Sequence, residues 1–359
     1  MHYEHGGNVH RFLRENPTLR EAVLDFSANI NPLGISEKGK VSMLESLEWL
    51  SHYPDPEYIE LKDKLSAYYQ VDSQNISLFN GGAEGLHELF RYLRPKKVLI
   101  PVPTFVEYEK ALAMHHVQMD YFYLKEEEQF KLNEDRFLMT VEIERPDLVV
   151  ICTPNNPTGQ QLDVHFLEKI SENMKRWNGK LVVDEAFLDF LPNKENSAAK
   201  WLCFQSNLYI LKSFTKFFGV PGLRLGAVLT SDQSFHRAID DYGVPWRINS
   251  MAEHYALGAL EDFVYIEQTR SFIQIERLFL SEALVAIPGV EVFDSCADYL
   301  LIKIEASLLA DFESSLKNEG ILVRNCQNYK GLSEGYFRVA VKNRVSNERL
   351  IKAMTEVSK

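Results

Sequence analysis

From about residue 57 onward, the chain alternates between stretches of helical length with periodic apolar residues and short, almost wholly apolar segments. This alternation is typical of a mostly parallel β-sheet covered by helices, because each parallel strand needs a long crossover before the next strand. The predicted strands are Ile76–Phe79, Val98–Pro101, Leu148–Thr153, Leu181–Asp184, Leu208–Leu211 and Leu225–Thr230. The predicted crossover helices include Ala83–Leu93, Val106–His115 and Val164–Trp177. The sequence therefore predicts an α/β fold.

A different pattern begins after about residue 235. One long helical stretch is predicted to run through Ala286, and shorter elements follow it. These are strand Tyr299–Ile304, helix Leu308–Asn318, strand Tyr336–Val341 and a C-terminal helix. The first 40 residues read as irregular, with turn residues at 31–34. We expect a large domain at 41–235, and a smaller α+β domain at 236–359 that includes the N-terminal segment 1–40.

Composition and charge argue against several classes of function. The net charge of −12 is wrong for a general binder of nucleic acid or anionic membrane, because such partners select an excess of Lys and Arg. The N-terminus has no apolar signal segment, and no run approaches the ~18 apolar residues of a membrane span, so the predicted compartment is the cytoplasm. The four cysteines form no C-x-x-C pair and no H-E-x-x-H motif is present, so neither disulfides nor a metal site are predicted.

The strongest candidate for chemistry is the segment S-F-T-K-F-F-G-V-P-G-L-R-L-G at 213–226. Ser213 and Lys216 are three residues apart and share one side of a helical turn, and a Gly/Pro-rich bend can return Arg224 towards them. A hydroxyl, an amine and a guanidinium at one point suit a phosphorylated aldehyde, because the amine can form an imine while the other two groups hold the phosphate. Taken alone, a lysine between aromatic residues is usually a surface residue with a packed stem.

Three further features stand at the ends of predicted strands. The segment N-G-G-A-E at 80–84 opens a helix, where bare backbone N–H groups can face an anion. Asp184 ends a very apolar strand, where a carboxylate needs a cationic partner such as a protonated pyridine nitrogen. The segment T-P-N-N-P-T-G at 153–159 lies at the strand edge where such sheets bind ligands. Each feature also has a simpler interpretation. The segment at 80–84 can be a plain tight turn, Asp184 can belong to a buried structural ion pair, and the segment at 153–159 can be a turn without function.

In this order and spacing, T-P-N-N-P-T-G, D-E-A-F and S-x-T-K-x-x-G-x-P-G-L-R-L-G resemble the fold-type I enzymes of the aspartate-aminotransferase superfamily, which use pyridoxal 5'-phosphate (PLP). The resemblance covers nearly the whole chain. It implies that Lys216 bonds covalently to the cofactor and that Asp184 pairs with the pyridinium nitrogen. It further implies that Phe105 stacks on the cofactor ring and that Asn156 hydrogen-bonds the ring oxygen. The residues implied to hold the cofactor phosphate are Gly82, Ala83, Ser213 and Arg224.

The resemblance also implies a homodimer with active sites at the subunit interface, in which Tyr53 reaches the cofactor phosphate of the neighbouring subunit. One residue departs from the usual pattern. Most aminotransferases of this group have D-E-A-Y, whereas this chain has Phe187 in place of the tyrosine. A hydroxyl that would bond the ring oxygen is therefore missing, and Phe187 can at most shape the pocket.

Within the superfamily, the chain resembles two families: threonine-phosphate decarboxylases, which make aminopropanol phosphate for the cobalamin side chain, and histidinol-phosphate aminotransferases. The segments H-G-G-N at 5–8, D-F-S-A-N-I-N-P-L-G at 25–34 and I-L-V-R-N-C at 321–326 resemble the decarboxylases. That resemblance implies decarboxylation of L-threonine O-3-phosphate, with transamination as the alternative. It places His5, Gly6 and Arg324 near the substrate phosphate. It also implies that Asn29 and Asn156 line the pocket and that Arg338 binds the substrate carboxylate.

The two arginines also admit a simpler interpretation. Arg338 alternates with Phe337 and Val339 on a predicted strand, where an exposed arginine in a surface ion pair is common. However, a planar guanidinium suits carboxylate and phosphate, and two arginines give an acidic protein the local positive charge that a dianionic substrate needs. A non-enzymatic regulator or scaffold with this fold is a further alternative, but a scaffold would not need Lys216 and Asp184 together.

Overall fold

A computed structural model of the protein describes residues 6–17, 23–192 and 196–358. Its strands, in chain order, are β1 Leu24–Asp25, β2 Ile76–Phe79, β3 Lys97–Val102, β4 Gln118–Tyr123, β5 Leu148–Cys152, β6 Lys180–Asp184, β7 Leu208–Ser213, β8 Gly226–Leu229, β9 Val290–Val292, β10 Tyr299–Ile304, β11 Ile321–Leu322, β12 Arg324–Asn325 and β13 Tyr336–Ala340. Its α-helices are α1 Val9–Glu15, α2 Glu37–Glu45, α3 Ile59–Tyr69, α4 Gly82–Leu93, α5 Glu107–Ala113, α6 Glu134–Glu144, α7 Val164–Met174, α8 Phe214–Phe217, α9 Gln233–Tyr242, α10 Ser250–Leu260, α11 Phe263–Val285, α12 Leu309–Asn318 and α13 Arg344–Val357. Within these ranges, no helix has both the length and the apolar character needed to cross a membrane.

Seven strands form the main sheet, in the order β2-β8-β7-β6-β5-β3-β4. All run parallel except β8, which is antiparallel to both of its neighbours. Alternate residues of one strand enter two separate hydrophobic clusters: Val149 and Ile151 pack into one, Leu148 and Val150 into the other. Apolar side chains therefore cover the sheet on both faces, as expected for parallel strands. The α/β fold with a mostly parallel sheet, predicted from the sequence, is confirmed.

The edge strand β4 is not among the predicted strands. It pairs with β3 alone, and most of its side chains are partly or fully exposed. Polar residues such as Gln118 and Asp120 can therefore stand in it without cost. Because the apolar run that marks a buried strand is missing, the sequence pattern gives no signal there.

A second, antiparallel sheet has the order β12-β13-β10-β9. The predicted long helix through Ala286 is wrong, because the segment forms three helices, α9, α10 and α11. Asn249 and Asp262 interrupt it as N-cap residues, with side chains that accept backbone N–H bonds of α10 and α11. The N-terminal segment is also more regular than predicted, since it contains α1, β1 and the start of α2. The domain boundaries near 41 and 235 stay a prediction.

The sheet topology brings the candidate site together. The strands β5, β6 and β7 are adjacent and parallel, so their carboxyl ends meet at one edge of the sheet. The strand β1 pairs with β11 and carries the N-terminal segment to the same region. In parallel sheets this edge is where ligands bind.

Candidate active site

A cleft opens at the carboxyl ends of β5, β6 and β7. Twelve of the fourteen site residues predicted from the sequence line it: Gly6, Asn29, Gly82, Ala83, Phe105, Asn156, Asp184, Ser213, Lys216, Arg224, Arg324 and Arg338. Tyr53 is not in this lining; its side chain is 78% exposed and stacks on Trp246, with 4.4 Å between the ring centroids. His5 lies outside the described residues. Residues that are more than three hundred positions apart thus face one space.

Lys216 lies on α8, a single helical turn directly after β7. Its amine donates a hydrogen bond to Ser213 Oγ at 3.2 Å and stands 4.8 Å from the ring centroid of Phe187. Burial lowers the pKa of this amine, and the nearby Asp184 carboxylate opposes that effect. A lower pKa increases the fraction of neutral amine, which is the nucleophilic form.

Asp184, the last residue of β6, is buried at the base of the cleft. Its Oδ2 accepts a hydrogen bond from the Tyr108 hydroxyl at 2.6 Å, and its Oδ1 accepts one from the Ala186 N–H at 2.9 Å. Burial and the Asp184 charge raise the pKa of Tyr108, which keeps that hydroxyl protonated as a donor. The ion pairs found among the described residues do not include Asp184, so the buried structural pair considered above is not present. The Asp184 carboxylate can therefore form an ion pair with a cationic group of a ligand.

Tyr108 was not singled out by the sequence. It lies in the first turn of α5, three residues after Phe105, and the two rings meet edge to face with 5.6 Å between centroids. This i, i+3 spacing was the available signal. Phe105 thus presents a ring to the cleft while Tyr108 holds the carboxylate beneath it.

The N-terminus of α4 forms a site suited to an anion. The helix begins at Gly82, and its N-cap residue Gly81 has a φ of 88° and offers no side-chain cap. A Cβ atom at Gly81 would overlap the Arg224 guanidinium, and one at Gly82 would lie 3.5 Å from Ser213 Cβ. Backbone N–H groups, a hydroxyl and a guanidinium therefore converge where the positive end of a helix faces the cleft.

Arg338 is buried, so the interpretation of an exposed strand arginine in a surface ion pair is wrong. Its Nη1 donates to Asn156 Oδ1 at 2.6 Å and its Nη2 donates to the Ser27 carbonyl oxygen at 2.7 Å. The Tyr329 hydroxyl donates to the same Asn156 oxygen at 3.2 Å. With two donors on its oxygen, Asn156 keeps its NH₂ group for other partners, and Arg338 Nε is buried without one among the described residues.

Arg324 and Asn29 also line the cleft, and Arg324 on β12 is the cross-strand partner of Arg338 on β13. Arg324 is buried; its Nη1 and Nη2 donate to the Asn325 carbonyl oxygen and to Asn328 Oδ1 at 2.6 and 2.8 Å. Its guanidinium lies 5.2 Å from the Tyr329 ring centroid. Both polar side-chain atoms of Asn29 are buried and have no hydrogen-bond partner within the described part of the chain. Buried polar groups are rarely left unpaired, so a polar ligand is expected at Asn29.

Three cleft residues with polar side chains were missed by the sequence reasoning: Ser27, Thr215 and Tyr329. Ser27 and Thr215 lie inside motifs whose neighbours were selected, so alternation along those segments was a usable signal. Tyr329 lies in a loop five residues after Arg324, and no local pattern distinguishes it.

These groups fit PLP. The cofactor brings an aldehyde, a phosphate and a basic ring nitrogen. The cleft offers the half-buried amine of Lys216, an anion cradle and a carboxylate without an ion-pair partner among the described residues. The glycine at 81 supports the fit, because any side chain there would displace Arg224. The described residues contain no group of three or more His, Cys, Asp or Glu placed to hold a metal ion.

A buried carboxylate lies next to the predicted substrate arginine. Asp298 is 1% exposed, and its Oδ1 has no hydrogen-bond partner among the described residues. Burial raises the pKa of Asp298 to about 7, although the charges of Arg338, Lys342 and Lys216 favour the ionised form. The ordinary pKa of an aspartate, which applies to the unfolded chain, is 3.8. Between pH 3.8 and about pH 7, the Asp298 carboxyl is therefore protonated in the folded protein and ionised in the unfolded chain. This contribution to stability is therefore lost as the pH rises towards 7.

Replacing Asp298 with asparagine should remove this pH dependence. We expect Asp298→Asn to gain stability over the unmodified protein, and the gain to be roughly 2–3 kcal/mol larger at pH 8 than at pH 5, at ~1.4 kcal/mol per pKa unit. Urea unfolding of both proteins at the two pH values measures the gain. An equal gain at both pH values would show that Asp298 keeps an ordinary pKa.

Comparison with known proteins shows matches over nearly the whole chain. The family model for aminotransferase class I and II matches residues 21–355. The chain is 34% identical over 355 residues to threonine-phosphate decarboxylase of Salmonella typhimurium. The alignment covers 98% of this chain and 96% of that protein. It is 33% identical over 358 residues to the adenosylcobalamin biosynthesis bifunctional protein CobDQ of Leptospira interrogans, covering 99% of this chain and 41% of that protein. Among solved structures, the histidinol-phosphate aminotransferase from Clostridium acetobutylicum is similar, with a TM-score of 0.87, 30% identity, and coverage of 94% of this chain and 99% of that chain.

Proposed function

The chain belongs to the family of class I and II aminotransferases, and from this premise we propose that it is a PLP-dependent decarboxylase of L-threonine O-3-phosphate. The products are (R)-1-amino-2-propanol O-2-phosphate and CO₂, and the reaction serves cobalamin biosynthesis. The observation that carries the proposal is that two buried arginines, Arg324 and Arg338, open into the cleft that contains Lys216. A substrate with an anion at each end needs two such cations near the reacting amine. The similarity to the Salmonella decarboxylase over 98% of the chain supports the same substrate.

The proposed cofactor contacts follow from the groups in the cleft. Lys216 Nζ would carry the covalent bond, Asp184 would face the ring nitrogen, and Phe105 would lie against the ring. The phosphate would be held by Gly82, Ala83, Ser213 and Arg224. When bound, PLP supplies the electron sink that accepts the electron pair of a broken bond at the substrate Cα.

The protein decides which Cα bond breaks. Arg338 would bind the substrate carboxylate, and Arg324 with Gly6 would bind the substrate phosphate. Asn29 and Asn156 would line the pocket between them. Because both ends are fixed, rotation about the substrate N–Cα bond is fixed as well, and the carboxylate can be held in the orientation from which CO₂ leaves. The Lys216 amine would return a proton to Cα.

An aminotransferase acting on histidinol phosphate is the second candidate function. The similarity to the Clostridium acetobutylicum enzyme favours it, since 99% of that chain is matched with a TM-score of 0.87. Transamination requires that the Cα hydrogen, rather than the carboxylate, take the reactive orientation. It also requires a 2-oxo acid as second substrate, which a decarboxylase does not need.

One incubation separates the two functions. PLP-loaded protein mixed with L-threonine O-3-phosphate, without any 2-oxo acid, should release CO₂ continuously and keep its starting absorbance spectrum. Release of CO₂ and the spectrum are followed together. A single turnover to the pyridoxamine form without CO₂ would contradict the decarboxylase and make histidinol phosphate the next substrate to test.

We further propose that the enzyme is a homodimer in which Tyr53 reaches the neighbouring subunit's cofactor phosphate. Large apolar side chains close to Tyr53 in sequence, or close in sequence to its stacking partner Trp246, are exposed in the single chain. They include Leu47, Trp49, Leu50, Tyr242, Val244 and Trp246. An exposed group of this size is typical of a surface that another protein covers.

A further inference from the structure

A fully buried ion pair lies behind the cleft, on the reverse face of the strands that carry its residues. Asp184 and Ser213 end β6 and β7 and line the cleft. Lys212 stands between Leu211 and Ser213, and Glu185 follows the end of β6 between Asp184 and Ala186; these four neighbours line the cleft, whereas Lys212 and Glu185 do not. Lys212 Nζ lies 2.6 Å from Glu185 Oε2, and the two side chains are 1% and 0% exposed.

The pair is held from several directions. Glu185 Oε2 also accepts the Ser197 hydroxyl at 2.7 Å, and Oε1 accepts the Ala198 N–H at 2.7 Å. The Lys212 ammonium stands 4.5 Å from the ring centroid of Tyr69, at the end of α3. The Glu185 N–H donates to the Leu211 carbonyl oxygen at 2.9 Å, so the strand pairing continues up to the ion pair. Neither charged group has freedom to move independently of its strand.

Stability alone does not account for this arrangement. Removing two charges from water is costly, and well-packed apolar residues in place of a buried ion pair are often equally stable or more stable. Neither Glu185 nor Lys212 lines the cleft, so neither contacts the ligand directly. What the pair does is join the residue after Asp184 to the residue before Ser213.

We propose that Glu185 and Lys212 are positioning residues that fix the spacing between Asp184 and the Ser213–Lys216 turn. This inference rests on the proposed binding of PLP in the cleft. Asp184 would meet the ring nitrogen at one end of the cofactor and Ser213 the phosphate at the other. A rigid cofactor is bound tightly only if these groups stand at a fixed separation, and the ion pair sets that separation from behind.

The test uses the double variant Glu185→Gln/Lys212→Met, which removes both charges and so leaves no unpaired buried charge. Its melting temperature without PLP should stay close to that of the unmodified protein. The dissociation constant for PLP should rise about tenfold or more, and the visible absorbance band of the PLP-loaded protein should change its pH dependence. A purely structural pair would move only the melting temperature. Unchanged PLP affinity and an unchanged absorbance band in the folded double variant would overturn the proposal.

Glu185→Asp decides the question if the double variant does not fold. It keeps both charges but shortens the acidic side chain. The shorter carboxylate can reach the Lys212 ammonium only if the end of β6 shifts. The same loss of PLP affinity is expected, and a PLP affinity equal to that of the unmodified protein would overturn the proposal.

Glu276→Gln is the matched control, because Glu276 pairs with Arg344 between α11 and α13, outside the cleft. It should lower the melting temperature without changing PLP binding. PLP binding is measured without substrate, so a failure of decarboxylation leaves this test intact.

Discussion

Replacing Lys216 with alanine should abolish turnover and remove the visible absorbance of the PLP-loaded protein. Lys216 is the amine that the structure places in the cleft beside Ser213 and above Phe187, and its lowered pKa favours the nucleophilic form. In the proposed reaction it both carries the cofactor and returns a proton to the substrate. General acid–base catalysis alone contributes ~10²–10⁴-fold, so a fall in CO₂ release of at least ~10³-fold is expected.

The measurement combines CO₂ release, the absorbance spectrum and identification of the modified lysine by mass spectrometry after borohydride reduction. Lys352→Ala is the control, since Lys352 is 78% exposed on α13 and outside the cleft. It should keep both activity and absorbance. An active, coloured Lys216→Ala protein, or a reduced adduct on another lysine, would refute the assigned role.

Replacing Arg324 with alanine should weaken catalysis selectively for the phosphorylated substrate. Arg324 is buried, and removing one partner of a buried charge pair costs ~2–5 kcal/mol, so kcat/KM for L-threonine O-3-phosphate should fall about a hundredfold or more. Binding of PLP should persist, because Arg324 is held by Asn325 and Asn328 rather than by the proposed cofactor contacts. Steady-state kinetics with L-threonine O-3-phosphate and with L-threonine give the comparison.

Arg237→Ala serves as the control for loss of an arginine, because Arg237 is exposed on α9 and should leave both substrates unaffected. Equal losses for threonine and its phosphate in Arg324→Ala would mean that Arg324 does not bind the phosphate. Arg338 is less suitable for this comparison. It donates to Asn156 and to the Ser27 carbonyl oxygen, so its removal also disturbs a proposed cofactor contact and the N-terminal segment.

The cleft shows how a protein with a net charge of −12 can attract a dianionic substrate. Arg224, Arg324 and Arg338 all face one space, together with Lys216. The local charge therefore has the opposite sign to that of the whole molecule. Because potentials inside a narrow cleft are screened less than those at the surface, the local cations dominate binding.

Local chemistry in the sequence was sufficient to predict most strands of the main sheet and the candidate segments at their ends, whereas the other cleft residues were implied by the family resemblance. Strands such as β5 and β6 are buried on both faces, so their residues had to be apolar throughout, and that run is visible without any neighbour. Lys216, Asp184 and the segment 153–159 could be selected because each follows or ends such a strand, and the resemblance then pointed to Asn156 within that segment. The edge strand β4 and the breaks at Asn249 and Asp262 were missed, since they depend on exposure and on cap geometry rather than on apolar runs.

The sequence by itself thus determined the α/β fold and which residue types stand at the carboxyl edge of the sheet. Only the tertiary structure decided which of these residues meet. Arg338 and Asn156 are in contact across 182 positions, Tyr108 holds Asp184 across 76, and Tyr329 bonds Asn156 across 173. The physical reason is that periodicity reports whether a side chain is buried. It carries no information on the partner that a buried polar group finds, because that partner comes from another element of the fold.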